Sequence, residues 1–120
     1  MSKIKIEATL KNSEGNHIFK GKGIKKDNQI IYLDEKIQTK VIMDNVITIE
    51  RNGEYKLNLK FKKGIKSKGT YINNYGTFDV EIETINLIQK NNELKITYKL
   101  RANESDIDIF TYNLKFTLDT

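Results

Sequence analysis

Arg51 is one of two arginines in a 120-residue chain whose 21 Lys and Arg side chains are otherwise all lysine. It ends the alternating run Ile47-Thr48-Ile49-Glu50-Arg51, in phase with the apolar residues. A guanidinium on the inner face of a strand must be paired with an internal acid, reach water, or meet an anion. The inward strands offer few acids, so the expected position is the edge of the buried region, in reach of a ligand. Tyr55, Tyr71, Tyr98 and Tyr112 share the inward phase, with Thr84 and Ser67 near them. Buried phenols need hydrogen-bond partners. Together Arg51, Tyr55, Tyr71, Thr84 and Tyr98 form a candidate ligand site. Ile, Leu and Phe would desolvate an apolar body there, and the polar groups would fix an anionic head. Such a site predicts a cavity of roughly a few hundred Å³. The competing reading is a self-satisfied core, because small barrels are commonly filled by their own side chains.

The remaining reactive residue types point away from catalysis. His17 is the only histidine and there is no cysteine, which excludes disulfides, thiolate metal sites and thiol chemistry. A metal or catalytic role for His17 needs partners at a defined spacing. None lies near it in sequence, so it reads as a solvated surface side chain. The acidic pairs Asp34-Glu35 and Asp106/Asp108 lack the dense oxygen spacing of a calcium loop and read as surface charge. Gly21-Lys22-Gly23 has no following helix to form a phosphate site and reads as a strand bend. Serines and threonines lack an activating base. No catalytic residue, metal or cofactor is expected, and the chain reads as a non-enzyme.

The net charge of +5 raises a second hypothesis, a basic module for RNA or another acidic partner. Between Tyr55 and Phe78 stand Lys56, Lys60, Lys62, Lys63, Lys66 and Lys68 with no acid. Pairing across hairpins sets Glu81 and Glu83 against Lys68 and Lys66, which leaves Lys56, Lys60, Lys62 and Lys63 as the anion-binding surface. Against this, Lys, Ile and Asn are the residues of AT-rich codons, and the sequence holds 19 Lys, 18 Ile and 13 Asn. Readers of base edges rely on arginine. Weak, non-specific nucleic-acid binding at most is expected.

The elements that position these residues are strands. Ile4, Ile6, Ala8 and Leu10 alternate with polar residues, as do Leu94 to Leu100 and Tyr112 to Leu118, the signature of strands with one buried face. Turn signals recur at Asn12–Asn16, Lys26–Asn28, Asp44-Asn45, Asn52-Gly53, Lys62–Gly64, Asn73–Gly76, Asn91-Asn92 and Asn103–Ser105. Nine or ten strands follow, over a single domain of residues 1–120. A meander of that length escapes exposed edges by closing into an all-β antiparallel barrel. A left-handed Gly64 sets Phe61 opposite Ile65 and Lys60 opposite Lys66, with Ile65 inward. A turn at Asn73–Gly76 sets Tyr71 opposite Phe78, Gly69 opposite Val80 and Ser67 opposite Ile82. Changes of apolar phase predict irregularities near Glu83-Thr84 and between Ile109 and Phe110. At Asn52-Gly53 the offset that buries Ile47, Ile49 and Arg51 is preferred.

Tyr32-Leu33-Asp34-Glu35, Thr39, Ile49-Glu50-Arg51-Asn52-Gly53, Phe61-Lys62-Lys63-Gly64, Tyr71, Asn74-Tyr75-Gly76, Thr84 and Tyr98-Lys99-Leu100, in that order, resemble the YwiB-like family of uncharacterised bacterial proteins. The resemblance runs from about Gly21 to the C-terminus; the first strand matches only in character. It implies a calycin-like, distantly lipocalin-like barrel and carries over no activity. The first ten residues lack the apolar segment of a signal peptide, and no apolar run reaches the ~18 residues of a membrane helix. A cytoplasmic bacterial protein with no membrane partner, monomeric or homodimeric, is expected.

Overall fold

Each alternating run forms a strand in the computed structural model, which describes residues 1–119. The strands are β1 (Ser2–Asn12), β2 (Gly15–Lys26), β3 (Gln29–Asp34), β4 (Ile37–Met43), β5 (Ile47–Asn52), β6 (Lys56–Phe61), β7 (Lys66–Asn73), β8 (Gly76–Lys90), β9 (Glu93–Ala102) and β10 (Ser105–Leu118). There is no helix among the described residues. Every strand pairs antiparallel with its neighbours in sequence, and β1 pairs with β10 to close the barrel. The turns after odd-numbered strands lie at one end, here the upper end, and those after even-numbered strands at the lower end. All eight turn signals fall between strands. A ninth turn, Glu35-Lys36, separates β3 from β4. It lacks glycine and asparagine, and Glu35 itself takes the left-handed conformation (φ 59°).

The inward faces meet in one core. Ile4, Ile30, Val41, Ile47, Leu59, Phe61, Ile82, Leu94, Ile96 and Leu114 are at most 1% exposed. Each such side chain contributes about 1.5–3 kcal/mol when withdrawn from water. Gly23 lies where β2 passes closest to β1 and β3. A Cβ there would collide with the Ile6 side chain and the Ile31 carbonyl oxygen, so only glycine lets the barrel bend at this corner.

The β5–β6 register pairs Ile47 with Phe61, Ile49 with Leu59 and Arg51 with Leu57, so Arg51 faces inward. The β7–β8 ladder has the expected pairs, from Tyr71 with Phe78 to Lys66 with Glu83. The irregularity in β8 falls between Thr84 and Asn86, and Ile85 is extruded there. Two expectations are corrected. The β6–β7 ladder pairs Lys56 with Ile72, Leu57 with Tyr71 and Asn58 with Thr70. That register is two residues away from one setting Phe61 opposite Ile65 and Lys60 opposite Lys66. Gly64 is left-handed (φ 76°), but the turn closes through Ile65 N–H donating to the Lys62 carbonyl, and Ile65 is exposed. In β10 the irregularity lies at Ile107, between Asp106 and Asp108, and not between Ile109 and Phe110. Ile107 and Ile109 are both exposed.

Candidate functional site

The upper half of the barrel interior is polar. Thr39 of β4 pairs with both Tyr32 of β3 and Arg51 of β5. Arg51 continues across the sheet to Leu57, Tyr71 and Phe78. One inward row therefore runs from a phenol and a hydroxyl, through a guanidinium, to an apolar and aromatic stretch. Asp34 follows Tyr32 by two residues on the same face of β3 and is buried. β2 sends His17 and Phe19 inward above it, and the Phe19 ring stacks on Tyr32 with centroids 4.8 Å apart.

Asp34 is the electrostatic centre. Its Oδ2 accepts a hydrogen bond from His17 Nε2 at 2.8 Å and stands 3.5 Å from Arg51 Nη2. The side chains of Asp34 and Arg51 are 8% and 18% exposed, and that of His17 is 48% exposed. His17 is thus not a solvated side chain without partners, and Asp34 is not surface charge. The meander brings β2, β3 and β5 together at the upper end, and a buried carboxylate needs hydrogen-bonding and charged partners. This acid also supplies the internal partner for Arg51 that the sequence reading did not find.

Below this group the Tyr32 and Tyr112 hydroxyls share a hydrogen bond of 2.8 Å. Burial pushes the Tyr112 and Tyr98 phenols well above the ordinary phenol range, and the Arg51 charge opposes the rise only partly. Burial also raises Tyr32, against its bond to Tyr112 and the nearby Arg51 charge. All three are neutral hydrogen-bonding groups near neutral pH.

These residues enclose a cavity of about 50 Å³, lined by His17, Tyr32, Asp34, Thr39, Arg51, Tyr98 and Tyr112 together with apolar side chains. The expected few hundred Å³ is not there: the core side chains fill the barrel, leaving room for about three to five water-sized groups. Two polar atoms of the lining, Arg51 Nε and Thr39 Oγ1, have no hydrogen-bond partner among the described residues. Thr39 Oγ1 is close to the Tyr32 hydroxyl without making a hydrogen bond of ordinary geometry. A larger concavity of about 720 Å³ at the lower end, between the β4–β5 turn and Gln89, is a shallow surface depression.

Of the residues singled out from sequence, Arg51 and Tyr98 line the cavity. Tyr55 and Tyr71 lie on the upper rim with ring centroids 5.6 Å apart, and Phe78 follows at 6.4 Å from Tyr71. Thr84 is buried opposite Tyr98 on the adjacent strand, outside the cavity lining. Lys56, Lys60, Lys62 and Lys63 are all exposed and make no ion pair among the described residues. The readings that missed Asp34, Thr39 and His17 had one usable signal. The phase Ile30, Tyr32, Asp34 puts the acid on the buried face.

The fold and this site together define a small closed meander barrel with a dry lower core and an ionic, aromatic upper mouth. The chain belongs to the family described as domain of unknown function DUF1934, whose model matches residues 2–115. Curated proteins offer no match. The crystal structure of the ywiB protein from Bacillus subtilis is similar at 13% identity with a TM-score of 0.64, covering 98% of this chain and 91% of that one. At this identity the likeness is one of fold. Among the described residues no helix is long and apolar enough to cross a membrane.

Proposed function

We propose that the barrel is a non-catalytic, cytoplasmic binding protein for a small, partly apolar molecule bearing an anionic head. The observation that carries this reading is a pair of polar atoms without a hydrogen-bond partner among the described residues, Arg51 Nε and Thr39 Oγ1, on two residues that line one small cavity. Buried polar groups are nearly always satisfied, and a donor beside a guanidinium favours an oxyanion. The cavity admits the head alone, so the apolar body lies in the mouth against Leu57, Tyr71 and Phe78, the inward row that continues from Arg51. A long acyl chain does not fit inside; a short or aromatic carboxylic acid does.

Nuclear magnetic resonance titration with acetate, benzoate and laurate tests the reading. Benzoate is expected to shift the signals of Arg51, Thr39 and Tyr71 saturably, and acetate to do so more weakly. Arg51→Met takes one partner from the buried Asp34 carboxylate and should cost about 1–3 kcal/mol of stability; it should also lose about 2–5 kcal/mol of benzoate affinity. Equal benzoate binding by parent and Arg51→Met would exclude the site. The basic-surface reading is weaker, because Lys56 starts β6 at the upper end while Lys62 and Lys63 follow it at the lower end, too dispersed for a single focus of charge.

A further inference from the structure

The β1–β2 hairpin overhangs its neighbour. β2 pairs with β1 from Gly15 to Lys25, but with β3 only through Gly23–Lys26. One edge of β2, from Gly15 to Lys22, therefore presents a row of backbone N–H and C=O groups with no strand beside it, at the upper end above the short β3–β4 turn. Such an edge is a template for another strand. Its outward side chains are Asn16, Ile18, Lys20 and Lys22, all exposed, with Ile18 at 57%. Among the described residues the Lys22 ammonium meets only Asp119, at 3.4 Å, with its side chain 76% exposed. Glu14, in the turn just before β2, is exposed and makes no ion pair among the described residues.

We infer that this edge joins two copies of the chain, β2 lying antiparallel to β2 of the second copy about a two-fold axis through Ile18. The sequence of the edge is self-complementary in that register. Ile18 meets its own counterpart, Asn16 meets Lys20, and Glu14 meets Lys22 at both ends. On the inner face Gly15 meets Gly21, and His17 meets Phe19. An axis through Lys20 would set lysine against lysine, which is unfavourable. An axis through Phe19 leaves Lys20 and Lys22 without an acid, and one through His17 drops Lys22 from the paired segment. Isologous pairing joins the two sheets across their free edges, as a closed two-fold dimer requires. Lys22, which would repel an unrelated strand, thus becomes the partner of Glu14 in a second copy, and Lys20 meets the neutral Asn16.

Sedimentation velocity of the whole chain tests the inference, with circular dichroism confirming that each variant is folded. The parent is expected to dimerise. Ile18→Lys opposes two charges on the axis and should weaken the dimer by about tenfold or more. Glu14→Lys and Lys22→Glu should each be monomeric where the parent is dimeric, while an equal mixture of the two forms a heterodimer, because both ends then pair opposite charges. A parent that is monomeric at about 0.5 mM, a dimer unmoved by Ile18→Lys, or a mixture of the two charge variants that stays monomeric overturns the inference.

Discussion

The two ends of the barrel are built on opposite principles. At the lower end Ile4, Ile30, Val41, Ile47 and Phe61 close the interior with hydrocarbon, each at most 1% exposed. At the upper end the same strands carry Tyr32, Asp34, Thr39 and Arg51, with buried polar atoms left unpaired. The lower end is packed by apolar side chains alone. The upper end accepts the cost of buried charge, and nothing in the fold demands that cost. The difference puts hydrocarbon packing at one end and the proposed recognition site at the other.

The largest effect should come from the lower end. Phe61→Ala is expected to cost about 3–5 kcal/mol in chemical denaturation. At a concentration where the variant remains folded, its benzoate titration should match that of the parent; a changed affinity would mean that the two ends are coupled. Next, Asp34→Ala removes the carboxylate from a partly buried cation and should cost about 1.5–3 kcal/mol. The double variant Asp34→Ala/Arg51→Met should recover most of that loss, because no buried charge then remains. A double-mutant cycle without coupling would dissolve the ionic mouth into independent surface charges. Tyr112→Phe breaks one buried phenol pair and should cost about 0.5–1.5 kcal/mol.

The same phenols set an alkaline limit. Tyr32, Tyr98 and Tyr112 all have raised folded-state pKa values, while an unfolded phenol titrates near pH ~10. Their neutral forms therefore contribute fully below that pH. Above it the unfolded chain ionises first, so stability falls as pH rises. Tyrosinate absorbance should accordingly lag until unfolding, and a complete, reversible titration by the folded protein would contradict this. The smallest effect concerns the outside. Reversing Lys60 and Lys62 to Glu should change stability by less than about 0.5 kcal/mol. RNA retention in the parent should be weak, with a log–log salt slope near about −3 if Lys56, Lys60, Lys62 and Lys63 all engage. Sequence-selective binding that survives high salt would move recognition from the mouth to the surface.

The alternating pattern made most strands readable, because burial on one face imposes a period of two. The same period hides slips of two residues. Moving the β6–β7 register by two leaves every side chain on its face, so only the turn at Lys62–Ile65 could reveal it. The mouth was half legible. Arg51 and Tyr98 follow from phase alone. Asp34 escaped because its turn, Glu35-Lys36, carries neither Gly nor Asn, so no strand end was marked there and the acid read as surface charge. His17 escaped because its partner is supplied by barrel topology and not by local spacing. The size of the cavity depends on how the core side chains interlock, which periodicity does not encode.

Closure places Ile4 opposite Leu118 and Lys11 opposite Thr111, so the first strand waits for the last. During synthesis every other strand can pair with the one just made, but β1 has only β2 until β10 appears. Contacts so distant in sequence are slow to form, since the loop entropy must be met before they give any return. The seam between β1 and β10 is therefore expected to acquire hydrogen-exchange protection last during refolding. Until then β10 and β1 each carry an open edge, and this interval is when the chain is most vulnerable to pairing with the wrong neighbour.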